Sequence, residues 1–471
     1  MPYYRKMFQM ILCHIFNISD VHTIAFGTGE QSSSNYERNA EALWILCSPG
    51  RQERSPSKAI VDLIVGLCTG HDLNFDDVLG TYVQSPLVSA SLNDSQLHGV
   101  VQAQRKRFSL IQGPPGTGKT NVAAEILMQW LLARDGCDRM QQRTILAAAF
   151  TNAASQNLME CLLQKPEISR FRLLFVGHVD DETPNWVTQR SLPDTTDPHV
   201  YLSRADLIFT TIMYSANRSL RDMTFPLQLI DEAAQAIEPD ALVPLTKSAH
   251  LVCLVGDHQQ LPAVVTSRLG KELGLSISLF ERLADTVLKP TFLDMQYRSH
   301  KALIQYSNDT LYEDRIVTLT DLAPAAGFDW PRSNFPLAII DAAAGVDEVC
   351  IVTRKNRKAE KSWKNDYEAR ITVRVVHRFI EALGSVESVG VITPYASQCE
   401  HLKSMLPEGV KVSSVDGFQG QQREVIVMSV VRAHPECNIN FIADPRRLNV
   451  SFTRARVGFV FDFEAHVTAT I

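Results

Sequence analysis

The chain has 471 residues, with 46 Lys or Arg against 52 Asp or Glu and a formal net charge of −6 at pH 7. That balance sets up no global positive field, so a nucleic-acid partner has to be met by a local groove. The length exceeds one ordinary core and predicts two or three domains, and 45% hydrophobic with 21% charged residues is ordinary globular composition. Nine scattered cysteines, none in C-x-x-C spacing, point to a reducing compartment and away from a zinc domain. A cytoplasmic or nuclear location is the expectation, and no apolar run is long enough to span a membrane.

Residues 1–91 read as an N-terminal segment, the remnant of an accessory domain. The run MFQMILCHIFNI after Arg5 and Lys6 faintly resembles a signal peptide, but Gln9, His14 and Asn17 interrupt it and no small-residue cleavage site follows. From Leu92 apolar strand-like runs alternate with helical patterns: Phe108–Gln112, Thr144–Ala149, Asp206–Thr211, Leu227–Ile230 and Leu251–Val255. After about residue 290 the alternation restarts, with strands expected at Leu337–Asp341, Val389–Thr393, Val410–Val415, Val425–Val430 and Val457–Phe461. Helices are expected over YEARITVRVVHRFIEAL and SQCEHLKSML. Such βα alternation predicts an α/β fold of two domains, 92–290 and 291–471, each with a parallel central sheet.

The first expected strand leads into Gly113-Pro114-Pro115-Gly116-Thr117-Gly118-Lys119-Thr120, the pattern G-x-x-x-x-G-K-[ST]. Glycines let successive N–H groups turn toward one anion, and a following helix points its positive end there. Val122, Ala123, Ile126, Leu127, Trp130 and Leu131 supply that helix's apolar spacing. Lys119 is expected to reach the β- and γ-phosphates of ATP and the Thr120 hydroxyl to hold Mg²⁺.

A second site follows at LQLIDEAAQ. Asp231 is expected to hold Mg²⁺ through water, and Glu232 to act as general base toward the attacking water. Alone, the two acids read equally well as a helix cap; the upstream phosphate loop favours catalysis. Asp257 and Gln260 in GDHQQLP end another apolar strand beside the same site, where Gln260 could bond both γ-phosphate and water; alone, that stretch reads as a polar turn closed by Pro262. No guanine-reading N-K-x-D loop is present, and a small-molecule kinase has no use for a second α/β half. A two-half motor does, and its second half should offer cations to the γ-phosphate. Arg298, and Arg446, Arg447, Arg454 and Arg456 in DPRRLNVSFTRAR, are candidates, although an arginine taken singly is more often a surface ion pair.

GPPGTGKT, DEAAQ, GDHQQLP, QYRSH, ITPYASQ, SSVDGFQGQQRE and DPRRLNVSFTRAR occur here in the order found in superfamily 1 helicases. Over about residues 92–461 the chain resembles the group containing the nonsense-mediated-decay helicase and senataxin. The resemblance implies two tandem RecA-like P-loop NTPase domains with ATP between them, and 5′-to-3′ movement on single-stranded RNA or DNA. It implies that Gln96 reads the adenine edge, that Tyr297 packs on the base and that Arg298 and Arg454 stabilise the transferring phosphoryl group. Thr151 and Asn152, Thr210 and Thr211, and Thr393, Pro394 and Tyr395 then match strand-contact segments.

The sequence departs from the family in four places. Phe150 stands where proline is common, and Gln422 where a ribose-binding glutamate is frequent. Asp462 interrupts the last apolar run, and only about ninety residues precede the motor, too few for the family's accessory barrel plus a Cys/His-rich domain. The expected activity is an ATP-dependent helicase or translocase, the alternative an ATP-gated RNA-binding clamp that hydrolyses ATP without unwinding. A truncated, inactive product is a third reading, against which the intact catalytic residues count.

Overall fold

A computed structural model describes residues 32–47, 58–64, 91–135, 144–181, 183–193, 197–265, 267–341, 348–355, 358–431 and 444–463. The signal-like run near the N-terminus lies outside them. Backbone packing divides the chain into two compact units. The first holds the described residues up to Gly113, with Gly118–His258 and Pro262–Leu293; the second holds Pro114–Thr117, Gln259–Leu261 and the described residues from Asp294 onward.

The first unit is built on seven strands: β1 (Phe108–Gln112), β2 (Ile145–Ala149), β3 (Leu173–Val176), β4 (Leu207–Thr211), β5 (Leu227–Asp231), β6 (Leu251–Gly256) and β7 (Thr291–Phe292). They pair in parallel in the order β3-β4-β2-β5-β6-β1-β7. β1, β2, β5 and β6 are buried along their whole length. Continuous apolar strands of this kind are what a parallel sheet covered on both faces demands. Helix α3 (Lys119–Asp135) packs Ile126, Leu127, Trp130 and Leu131 into the core on one face. The other face is covered by α1 (Ser32–Cys47) and α2 (Lys58–Ile64), through Leu43, Leu46, Ile60 and Leu63. Those two helices, β3 and β7 went unread in the sequence.

Register brings the strand carboxyl ends together. Gln112 lies opposite Gly256, and Ala149 opposite both Asp231 and Thr211. The sequence-predicted residues of the first unit therefore collect at one edge, where open α/β sheets bind ligands.

The second unit carries β10 (Leu337–Asp341), β13 (Val389–Ile392), β14 (Lys411–Ser413), β15 (Arg423–Ser429) and β16 (Ala455–Phe463), parallel in the order β10-β16-β15-β13-β14. All five correspond to expected runs. Helix α4 (Asp366–Leu383) begins where the Asn365 side chain accepts from Glu368 N–H and stops at Gly384, whose φ of 67° suits a residue without Cβ. Two short pairings were not expected. β8 (Met295–Gln296) joins β9 (Val317–Thr318), and β11 (Glu348–Lys355) pairs antiparallel with β12 (Lys358–Asn365) as a ribbon of its own.

Candidate functional site

The phosphate loop is held in shape by its own backbone. Gly113 N–H donates to Gly256 O at 3.1 Å, and the Thr117 hydroxyl to Pro114 O at 2.7 Å. Pro114 and Pro115 are buried, and Gly116 and Gly118 sit at φ 78° and 80°, the left-handed region that glycine enters without strain. A Cβ on Gly118 would lie 2.8 Å from Gln96 Nε2. Lys119 Nζ donates to Gly113 O at 2.7 Å, so its ammonium lies across the loop, and Thr120 stands in the first turn of α3.

Gln96 is buried and closes a capping box. Asn93 N–H donates to Gln96 Oε1 at 3.1 Å and Gln96 N–H to Asn93 Oδ1 at 2.9 Å. Its carbonyl is thereby committed to starting the helix Asp94–Arg105, while its amide lies beside the loop.

Asp231 ends β5 with only 2% of its surface exposed. Burial first, and the Glu232 charge next, push its carboxyl up to about 7; the Glu232 N–H, donating at 2.9 Å, and the Lys119 charge oppose that rise. Such a carboxylate is short of positive charge, which suits Mg²⁺ beside Asp231 and Thr120. Among the described residues no group of three or more His, Cys, Asp or Glu is arranged to hold a metal.

Glu232 sits at φ 52°, ψ 36°, a left-handed conformation uncommon for a residue with Cβ. Gln235 Nε2 donates to Glu232 Oε2 at 2.8 Å and steadies it. Gln235 was given no role from sequence; its spacing of three from Glu232 was the available signal. Asp257 is buried and accepts from Gln112 Nε2 at 3.4 Å.

Within the second unit, Arg454 is 1% exposed and donates to Val450 O at 2.9 Å and to Gln421 O, Thr453 Oγ1 and Gln260 Oε1 at 3.3 Å each. Gln260 and Arg454, 194 positions apart, are thus brought together. Tyr297 N–H donates to Gly116 O at 2.9 Å, with the ring half exposed, and Arg298 N–H donates to Gln296 Oε1 at 2.9 Å. Gln422 is exposed. Arg447 pairs with Asp416 and Arg456 with Glu424, the ion-pair role that an arginine taken singly more often has.

The expected strand-contact residues divide by exposure. Thr151 is exposed and caps the helix Asn152–Leu163, accepting from Ala154 N–H at 3.1 Å; Asn152 is half buried. Phe150 is 38% exposed. Thr211 is half buried and accepts from Tyr214 N–H at 3.2 Å. Thr210 is fully buried, and its hydroxyl donates to Val176 O at 2.6 Å. Thr393 is also fully buried, followed by half-buried Pro394 and Tyr395 at the start of the helix Ala396–Met405. The side chains of Thr210 and Thr393 therefore face the sheet interior.

Two family models, each described as an AAA domain, match residues 91–201 with 194–268, and residues 275–461. A Drosophila melanogaster protein named regulator of nonsense transcripts 1 homolog is 31% identical over 91% of this chain and 40% of its own length. The Saccharomyces cerevisiae ATP-dependent helicase NAM7 is 31% identical over 89% of this chain and 47% of its own. The chain thus spans less than half the length of these relatives. A solved arterivirus nonstructural protein 10 helicase, in complex with DNA, covers 78% of this chain and 62% of its own at 14% identity, with a TM-score of 0.42. Over most of its length the chain is thus similar to the regulators of nonsense transcripts and to an ATP-dependent helicase, at about 31% identity, with AAA-domain matches in both halves.

Proposed function

We propose that the chain is an ATP-dependent motor on single-stranded RNA or DNA, a helicase or translocase moving 5′ to 3′, with RecA-like domains over 92–290 and 291–471. The observation that carries this reading is the convergence of Lys119 and buried Asp231 at the edge where a glycine-shaped loop turns its backbone inward. ATP with Mg²⁺ supplies a phosphoanhydride whose charge the ion helps to neutralise. The protein's own part is positioning. Lys119 exchanges the Gly113 carbonyl for phosphate oxygens, Asp231 and Thr120 face the ion, and Glu232, oriented by Gln235, takes the proton of the attacking water. Gln260, Arg298 and Arg454 answer the charge of the transferring group, and Gln96, Tyr297 and Gln422 hold the base and ribose. On the strand side, Thr151, Asn152, Thr211, Pro394 and Tyr395 offer hydroxyl, amide and ring surface. Thr210 and Thr393 contribute by shaping the strand ends from inside.

The test is ATP turnover with and without single-stranded homopolymers, run beside strand displacement from a tailed duplex. Stimulated turnover with displacement is expected. Stimulated turnover without displacement would make the chain an ATP-gated clamp, and turnover indifferent to any strand would remove the motor reading.

A further inference from the structure

We propose that Gln398 is a positioning residue for the nucleic-acid strand, aiming the turn Thr393-Pro394-Tyr395 through a closed ring of buried hydrogen bonds. The inference rests on the function proposed above. Tyr395 occupies the N-cap of the helix Ala396–Met405, and its side chain does not cap that helix. A serine, threonine, aspartate or asparagine there would have fixed the helix entry by itself. Thr393 is fully buried, and its hydroxyl finds no hydrogen-bond partner among the described residues. The start of this helix is held from other elements instead. Ser397 N–H, for one, donates to Ser362 Oγ at 3.0 Å.

Gln398 stands at the third helical position, where a glutamine in a capping box reaches back to the N-cap N–H. Here its amide bonds to other elements. Its Oε1 accepts from Asn365 N–H at 3.0 Å, and its Nε2 donates to Asn365 O at 3.1 Å and to Ser429 Oγ at 3.0 Å. Ser429 Oγ donates in turn to Glu368 Oε1 at 2.6 Å, and Glu368 N–H donates to Asn365 Oδ1 at 3.0 Å, which closes the ring. Asn365, Glu368, Gln398 and Ser429 are each 6% exposed or less. The oxygen and both N–H groups of the Gln398 amide are thus in use. The ring ties the end of β12, the first turn of α4 and the end of β15 to the helix that follows Tyr395.

Its place makes the ring more than a brace. Ile392 lies opposite Met428 in the sheet, so Thr393 and Ser429 follow side by side at the carboxyl edge. Cys399 N–H donates to Tyr395 O at 3.0 Å, so the first helical turn carries the position of Gln398 back to Tyr395. Buried donors and acceptors that lose their partners cannot turn to water, so a fully satisfied ring keeps one arrangement. A turn held in its binding geometry has less ordering cost to meet when a nucleic-acid strand arrives. Such a ring also stabilises the fold, and the experiment separates that role from positioning.

The full chain is prepared as Gln398→Met, as Tyr395→Ala and with both changes. ATP turnover is followed against the concentration of a single-stranded homopolymer, with urea midpoints alongside. Gln398→Met keeps the side chain's length and removes all three bonds. The homopolymer concentration for half-maximal stimulation should rise by about tenfold, the order of one base–aromatic contact. Strand-free turnover and turnover at saturating homopolymer should stay close to the parent's. In the double variant Gln398→Met should add little to the effect of Tyr395→Ala, because both act through one turn. Ser429→Ala leaves the pairing with Asn365 intact and should shift the same concentration by less; it takes the place of Gln398→Met in the cycle if that variant does not fold. The proposal is overturned, with the motor reading intact, if the two effects multiply. It is overturned likewise if Tyr395→Ala responds to the homopolymer as the parent does, or if Gln398→Met lowers only the urea midpoint. A parent whose turnover ignores the homopolymer ends both.

Discussion

Each unit buries carboxylates against a parallel sheet, and the two do opposite things with them. In the first, Asp231 has Glu232 beside it and the Lys119 charge acting on it, at the edge where Gly118 opens the backbone. In the second, Glu368 and Asp462 lie near each other in the core. Glu368 accepts from Ser429 Oγ at 2.6 Å and from Val431 N–H at 2.9 Å to either oxygen, and Asp462 accepts from Thr372 Oγ1 at 3.0 Å. Val431 sits at φ 73°, a costly place for a β-branched residue, where both carboxylate oxygens hold its N–H. Burial alone thus makes no ligand site. In the first unit a lysine charge and a glycine-bearing loop lie beside the buried carboxylate; in the second the carboxylates meet neutral donors.

The sharpest way to break the contrast is Lys119→Ala. With the ammonium gone, the phosphates face Asp231 uncompensated, and both nucleotide binding and hydrolysis should be lost. Fluorescent-nucleotide titration alongside phosphate release tests this; near-parent affinity would refute the role. Glu232→Gln is gentler. It keeps the shape and the bond to Gln235 but removes the base, so turnover should fall by about 10²–10⁴-fold while nucleotide affinity stays close to the parent's. Turnover within a few-fold of the parent would move the base elsewhere.

The sheets were legible because their strands are largely apolar runs, as in FSLIQ and LVCLVG, and the loop because its octet needs glycine at both positive-φ positions. The ribbon was not legible. EVCIVTRK and KAEKSWKN have no apolar alternation, so only their pairing defines them. The threonines show a different limit. The motif marks Thr210 and Thr211 alike, but a strand has period two, and one hydroxyl goes inward while its neighbour stays half buried. Glu232's left-handed backbone also leaves no trace in the letters DEAAQ. Asp462 was visible as a break in an apolar run; its companion Glu368, 94 positions earlier, was not.

That pair gives the smallest expected effect and the cleanest sign. Burial first, then the Asp462 charge, push Glu368 up to about 8, and burial pushes Asp462 up to about 7. Unfolded, both titrate near the ordinary carboxylate range. Between about pH 4 and pH 8 the folded chain therefore binds more protons than the unfolded chain, so stability falls as pH rises through that window. The contribution is fully present below the unfolded values and gone once pH exceeds the folded ones. Asp462→Asn keeps an oxygen for the Thr372 hydroxyl and removes one of the two charges. Glu368 should then titrate lower, and the second unit should gain stability at pH 8 but little at pH 5. A tenfold change in a proton equilibrium corresponds to about 1.4 kcal/mol, and the gain at pH 8 is expected at that order. Urea midpoints at pH 5 and pH 8, with ATP turnover as a control for the first unit, test it. A variant whose midpoint drops equally at both pH values would show that Asp462 acts through packing and hydrogen bonding rather than through its charge.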